Sequence, residues 1–308
     1  MDINVGMIAA GLAVGLLVGL TGMGAGSLMT PILISVFGIP ASTAVGTDLV
    51  YAAVTKTFGA GIHHWQKNVN LEIAKWMAFG SVPAAFLGVF SLWNLFGGGV
   101  DDWLPKLIGF SLIFVGIGVS VRTFVSVRGL WDHRSLPTDG PLDTHHKVIA
   151  VGVGAVFGFL LGLTSVGSGV FFGMALVTLF PLSTRRVVGT DLFHAMMVTV
   201  AAAAATILWG TPDFGAVGSI LIGSIPGILI GSMFTKRVNH RLLRGAIAVV
   251  LAMSGLRLLD PPSWTYAAAG LVIVAFGVWY WTSEHAHNAS QPQGQAITPE
   301  PQGSPVSH

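Results

Sequence analysis

Apolar residues fill most of the chain, in long runs that short polar segments separate. Nine runs approach or exceed the roughly 20 residues that a helix needs to cross a bilayer. They lie at about 4–22, 45–62, 72–93, 104–121, 147–163, 187–209, 214–234, 243–259 and 263–282. The pattern predicts an all-α polytopic membrane protein, in which residues 261–283 form an extra C-terminal transmembrane helix.

The composition supports this class. Hydrophobic residues make up 53% of the chain and charged residues 9%, against about 25% charged in an average soluble domain. The absence of cysteine excludes disulfides, thiolate metal sites and cysteine nucleophiles. Residues 284–308 are rich in Gln, Pro, Ser and Gly, so we expect a disordered tail. No motif indicates a metal, a cofactor or a nucleic-acid partner.

The chain contains an internal duplication. Three motifs recur at a constant offset of 143 in residue number: GLTGMGAG at 19–26 as GLTSVGSG at 162–169, VGTDL at 45–49 and again at 188–192, and GSVP at 80–83 as GSIP at 223–226. Because the register holds from Gly19 to Pro83 without a gap, chance is a poor explanation. We expect a first transmembrane repeat at 1–125, a linker at 126–146 and a second repeat at 147–260.

The distribution of basic residues predicts how the two repeats are oriented. Lysine and arginine are enriched in cytoplasmic loops. In the first half they collect in loop 63–75 and in the linker, whereas in the second half they occupy the other two loops, as Arg185, Arg186, Lys236, Arg237, Arg241 and Arg244. This reversal favours repeats of opposite orientation, with the linker and tail in the cytoplasm, unless it is noise in short loops. Opposed repeats are typical of secondary transporters.

Each repeat carries a glycine-rich break inside an apolar segment, followed by only about a dozen apolar residues. We expect a helix, a break and a half-helix that fold as a hairpin, with the break lining a protein-enclosed cavity. The free N–H groups there would bind an anion, and this hypothesis assigns Gly24, Gly26 and Ser27, with Gly167, Ser168 and Gly169, to the substrate. Close packing of helices through small residues is the alternative.

The repeated VGTDL motif places an aspartate within each half of the membrane region. Ionisable residues inside transmembrane segments are costly and indicate function, so Asp48 and Asp191 are candidates for proton coupling. The adjacent Thr47 and Thr190 are candidate hydroxyl ligands. The alternative is that each Thr-Asp pair caps the start of a helix.

Two further polar residues follow these motifs on nearly the same helix face. Lys56 lies eight residues after Asp48 and would supply positive charge to an anion, or would extend toward the basic loop at 63–75. His194 lies three residues after Asp191. It is either a substrate ligand or a buried packing residue.

The motifs together resemble the sulfite exporter TauE/SafE family of membrane transporters. The resemblance rests on GLTGMGAGSLMTPIL, AVGTDLVYAAVTKTFGAGIHHWQKNVN and GSVPAAFLGVF, with weaker second copies, and covers roughly residues 5 to 260. The GTDLVYAAVTK form looks like one branch of the family. The resemblance implies a carrier of sulfur-containing anions, such as sulfite and the C2 sulfonate sulfoacetate, or of other small organic anions. The second copy departs from the pattern, because Ser165 replaces a glycine.

The sequence therefore predicts an anion exporter of the inner (plasma) membrane that works by alternating access, with protons as a coupling ion and a homo-oligomer as one possible assembly. A passive anion channel is the first alternative, and it would need no titrating residue. A membrane-bound enzyme is the second, but no nucleophile–base pair is evident.

Overall fold

The computed structural model describes residues 4–21, 25–65, 68–96, 99–127, 142–167, 169–180, 182, 184–234, 240–262 and 265. This part of the chain is helical and contains no strand. Its α-helices are α1 Val5–Thr21, α2 Met29–Ser35, α3 Ala41–Trp65, α4 Leu71–Phe90, α5 Val100–Val127, α6 Thr144–Thr164, α7 Phe171–Leu179, α8 Thr184–Trp209, α9 Phe214–Phe234 and α10 His240–Leu259. A 3₁₀ turn at Ala25–Leu28 precedes α2, and a π-helical turn at Ser91–Leu95 continues α4.

Several helices are long and apolar enough to cross a membrane. Among the described residues these spans are Leu71–Leu95, Val100–Ser120, Thr144–Thr164, Arg186–Trp209 and Phe214–Phe234. Their outer surfaces expose large apolar side chains, including Phe79, Phe110 and Met233, as lipid-facing helices do. The prediction of an all-α polytopic membrane protein is confirmed.

The contacts among the helices join residues 1–261 into one compact unit. A second unit begins at Pro262, and the structure describes only Pro262 and Thr265 of it. The predicted extra helix at 261–283 and the predicted tail therefore lie almost entirely outside the described residues. Most of the linker at 126–146 does as well.

The two halves present their helices in the same order, α1–α5 and α6–α10. Shifting α4 by the sequence offset gives 214–233, and α9 spans Phe214–Phe234. Shifting α2 in the same way gives 172–178, and α7 spans Phe171–Leu179. The sequence offset is thus also an offset between equivalent helices.

The first two helices of each half form a hairpin. A Cβ atom added to Gly6, at the start of α1, would lie 3.3 Å from the ring of Phe37, which follows α2. In the second half the rings of His146 and Phe180 lie 6.1 Å apart, between the start of α6 and the end of α7. Each hairpin therefore returns the chain to the side on which it began, and the next helix starts there.

The halves are joined by pairs of helices whose backbones touch. α1 packs on α9, and α4 packs on α6. A Cβ atom at Gly11 would overlap the carbonyl of Ile220, and one at Gly15 would overlap that of Ser224. Because both positions advance together, α1 and α9 run parallel. Glycine allows this approach, as it does at other membrane-helix contacts.

These directions bear on how the halves are related. α3 begins where the first hairpin ends and so runs the same way as α1, and α4 then returns in the opposite direction. α9 is the equivalent of α4, yet it runs parallel to α1. The equivalent helices α4 and α9 therefore run in opposite directions.

Candidate functional site

The glycine-rich breaks, at 22–27 and 165–169, contact each other through Ser27 and Gly167 inside the compact unit. The backbone N–H of Gly167, in the second break, donates to Oγ of Ser27, in the first, over 3.2 Å. Ser27 is 5% exposed, so this bond lies inside the protein. Two segments from opposite halves of the chain are thereby brought together.

Asp48 extends this link between the breaks. The side chain is fully buried on α3, and its Oδ2 accepts hydrogen bonds from the hydroxyl of Thr30 on α2 and from that of Ser165, the latter over 3.0 Å. α3 begins at Ala41, two turns earlier, which excludes the alternative that Asp48 caps the helix. One carboxylate oxygen therefore connects three segments from both halves.

The backbone of the second break depends on unusual conformations. Ser165 ends α6 with φ 57° and Gly167 has φ 94°. A serine in the left-handed region costs free energy unless its surroundings fix it, and here its hydroxyl is bonded to Asp48. A Cβ atom at Gly167 would overlap the ring of Phe171. Ser165, which replaces a glycine of the first copy, thus forms a specific hydrogen bond to Asp48.

Thr47 and Thr190 each contact the opposite half of the chain. The hydroxyl of Thr47 accepts from the backbone N–H of Asp213 over 3.0 Å, and that of Thr190 accepts from the N–H of Asn70 over 2.9 Å. Asn70 and Asp213 cap the starts of α4 and α9. Each threonine therefore fixes a helix start of the opposite half.

A cluster of buried charges lies where α3 packs on α8. Lys56 is 6% exposed and Asp191 is 7% exposed. The ammonium charge of Lys56 interacts with the carboxylates of both Asp48 and Asp191. Lys56 therefore balances the two repeated aspartates, which the sequence analysis did not consider.

His194 is fully buried on α8. Its Nε2 lies 2.7 Å from Oγ of Ser81 on α4, and its ring lies 4.3 Å from that of Phe172 on α7. Its position joins three helices and fits a packing role. The Lys56 charge also acts on it.

A small cavity adjoins the two breaks. Thr21 and Ser27 line it from the first half, Gly169 lies at the second break, and Arg244 reaches it from α10. The remaining lining residues are apolar side chains of α5, α10 and the breaks. Arg244 was expected in a loop. It lies far from both breaks along the chain, so the sequence did not indicate that it is near them in the fold.

Three of the residues expected at the substrate site are described incompletely. Gly24 and Ser168 lie outside the described residues, and Gly26 is described by its backbone, within the 3₁₀ turn. Gly167 is bonded to Ser27, and Ser27 and Gly169 line the same cavity.

A multi-pass helical fold whose related halves enclose buried charges is the architecture of a membrane transporter. Two curated relatives from Bacillus subtilis (strain 168) are similar to the chain. The probable membrane transporter protein YjnA is 40% identical over 261 residues, covering 83% of this chain and all of that protein. The probable membrane transporter protein YdhB is 27% identical over 250 residues, covering 80% of this chain and 96% of its own length. No solved structure matches the chain.

Residues 7–258 match the family described as sulfite exporter TauE/SafE. The chain belongs to this family, and the resemblance noted in the sequence is confirmed. It is a multi-pass membrane transporter of a small molecule, and belongs to a class of transporters rather than of enzymes.

Proposed function

We propose that the protein is a secondary transporter that exports small sulfur-containing anions, such as sulfite or sulfoacetate, across the inner (plasma) membrane. The linker at 126–146 and the C-terminal tail lie in the cytoplasm. The substrate class follows from the family description, since the relatives' names specify only membrane transport. The anion binds between the breaks, at the cavity beside Ser27 and Gly169.

The observation that carries this proposal is the direct bonding of one break to the other across the two halves. The Gly167–Ser27 and Ser165–Asp48 bonds join opposite repeats and lie away from solvent. In alternating access the halves move relative to each other around a central site, so these bonds break and reform during the cycle. Backbone N–H groups at such breaks can donate hydrogen bonds to an anion. The irregular backbone that exposes them is tolerated within a membrane only where protein encloses it.

The charge cluster supplies the coupling. With two carboxylates and one ammonium, Asp48, Asp191 and Lys56 carry a net negative charge, which is costly inside a membrane. Binding of one proton makes the cluster neutral, so proton movement accompanies the transport cycle. Tyr51 and His194 are the other titratable side chains beside it. In this scheme Lys56 acts as the counter-ion of the carboxylates and does not bind the substrate directly.

Asp191 is the better candidate for the proton carrier. Asp48 is bonded to the hydroxyls of Thr30 and Ser165. Gly173 and Gly22 occupy the positions equivalent to Thr30 and Ser165 in the other half, so this pair of side-chain bonds between a carboxylate and the breaks is not repeated at Asp191. Asp48 therefore holds the breaks in place as a carboxylate, while Asp191 takes up and releases the proton.

Transport by the purified protein in liposomes tests the proposal. Uptake of sulfite and of sulfoacetate is measured with and without a pH gradient, for the parent and for Asp191→Asn. We expect saturable uptake of one anion, driven by the gradient in the parent and indifferent to it in Asp191→Asn.

Two results would contradict the proposal in different ways. Absence of uptake of either anion by the parent would reject the substrate class. Non-saturable uptake that ignores both the gradient and the Asp191 substitution would instead identify a passive anion channel.

A further inference from the structure

Arg244 lies on a helix and lines a cavity, although it was expected in a loop. It is on α10, one turn after the helix start at His240, and it is half-buried. Its side chain lines the cavity that also contacts Ser27 and Gly169, one residue from each break. A cation therefore reaches the point at which the halves meet.

The surroundings of Arg244 suit an anion. Val115 and Val119 of α5 and Ile247 and Leu251 of α10 make most of the cavity wall apolar, and charge interactions strengthen where water is excluded. None of the described residues that line the cavity is acidic. The guanidinium group presents a planar set of donors that matches two oxygens of an oxyanion at once.

The first half lacks an equivalent of this cation. An offset of 143 places Asp101 at the position equivalent to Arg244. Asp101 is exposed, and its Oδ1 accepts from the backbone N–H of Ser42 over 2.8 Å. An arginine at this position is thus present in the second half alone.

We propose that Arg244 is the cationic ligand of a small oxyanion, a sulfite, sulfonate or carboxylate group, in the cavity between Ser27 and Gly169. The inference rests on the proposed function and deepens it, because it names the residue that recognises the anion. It also gives Lys56 and Arg244 different roles, since Lys56 neutralises the aspartates and Arg244 binds the substrate.

Anion-dependent stabilisation of the purified protein tests this assignment without requiring transport. Thermal unfolding in detergent is followed in sodium sulfite, sulfoacetate, acetate and chloride at equal ionic strength. The parent is compared with Arg244→Gln, Arg244→Lys and Arg257→Gln, an exposed arginine near the end of the same helix. We expect saturable stabilisation of the parent and of Arg257→Gln by at least one oxyanion. In Arg244→Gln the apparent Kd should rise about tenfold or more, the effect of losing a charge-assisted hydrogen bond.

Arg244→Lys keeps the charge but not the planar donor geometry, so its apparent Kd should lie between those of the parent and Arg244→Gln. If Arg244→Gln does not give monodisperse protein, the apparent Kd of Arg244→Lys is compared with that of the parent instead. An unchanged Kd in both variants would overturn the assignment, as would a parent that no oxyanion stabilises. Binding lost in Arg244→Gln, in a parent that does not transport sulfur anions, would keep the assignment while rejecting the proposed substrate.

Discussion

At the scale of single residues, the two repeated aspartates differ although their sequence motifs are identical. Asp48 receives hydroxyl hydrogen bonds from two other segments, and Asp191 shares with it the charge of Lys56. The motif VGTDL predicted that both residues matter. It could not predict this difference, because Thr30 and Ser165 lie 18 and 117 residues from Asp48 along the chain.

Neutralising the aspartates separately should show the difference. Asp48→Asn weakens two buried charge-assisted bonds, and we expect it to lower the free energy of unfolding by about 3 kcal/mol. Asp191→Asn should remove the response of transport to a pH gradient. Unfolding in mixed micelles and flux in liposomes measure the two effects. An Asp48→Asn protein as stable as the parent, or an Asp191→Asn protein whose transport still responds to the gradient, would contradict the division of roles.

Ser165 offers a second test at this scale. Alanine at this position would keep the left-handed backbone strain and lose the bond to Asp48, whereas glycine would lose the bond but relieve the strain. We expect Ser165→Ala to be less stable than Ser165→Gly by about 1 kcal/mol. Equal stabilities, measured by unfolding in mixed micelles, would mean that the backbone there is not strained.

At the scale of helices, glycine sets how closely α9 approaches α1. A Cβ atom at Gly223 would overlap the carbonyl of Ile8, while one at Gly218, earlier on the same helix, would meet nothing within 4 Å. The sequence showed that small residues are frequent. It did not show which of them face another helix, because nearly every position of these segments is apolar or small.

Two leucine substitutions on α9 test this packing. Gly223→Leu should push α1 and α9 apart and lower the free energy of unfolding by about 3 kcal/mol or prevent folding, since overpacking of a tight contact is costly. Gly218→Leu has the same change in volume at an open position and should retain parent-like stability. Yield and thermal unfolding of the two proteins decide the matter. Comparable losses in both would show that the parallel contact does not govern stability.

At the scale of the whole molecule, the sequence predicted more of the architecture than of the site. The repeat offset and the apolar runs anticipate the helices closely, since the half-helix expected after the second break is α7, which begins at Phe171. The site needed contacts between distant segments. Arg244 was expected in a loop, because hydropathy and charge do not say which helices of opposite halves touch.

In the proposed transport cycle, the contact between the two breaks must open toward each side of the membrane in turn. Ser27 is 5% exposed and lies at the centre of this contact. Because the chain has no cysteine, a single Ser27→Cys substitution introduces one thiol at the point where opening is required. Thiol labelling there reports directly on the movement of the halves.

The most direct test of alternating access is the reactivity of Ser27→Cys toward a membrane-impermeant thiol reagent, applied to sealed vesicles from one side and then from the other. We predict labelling from both sides, slowed by sulfite or sulfoacetate at both, with labelling from one side increasing when a second substitution prevents opening to the other. Labelling from a single side only, or simultaneous unprotected access from both, would contradict a carrier in which opposed halves open alternately around a central anion site.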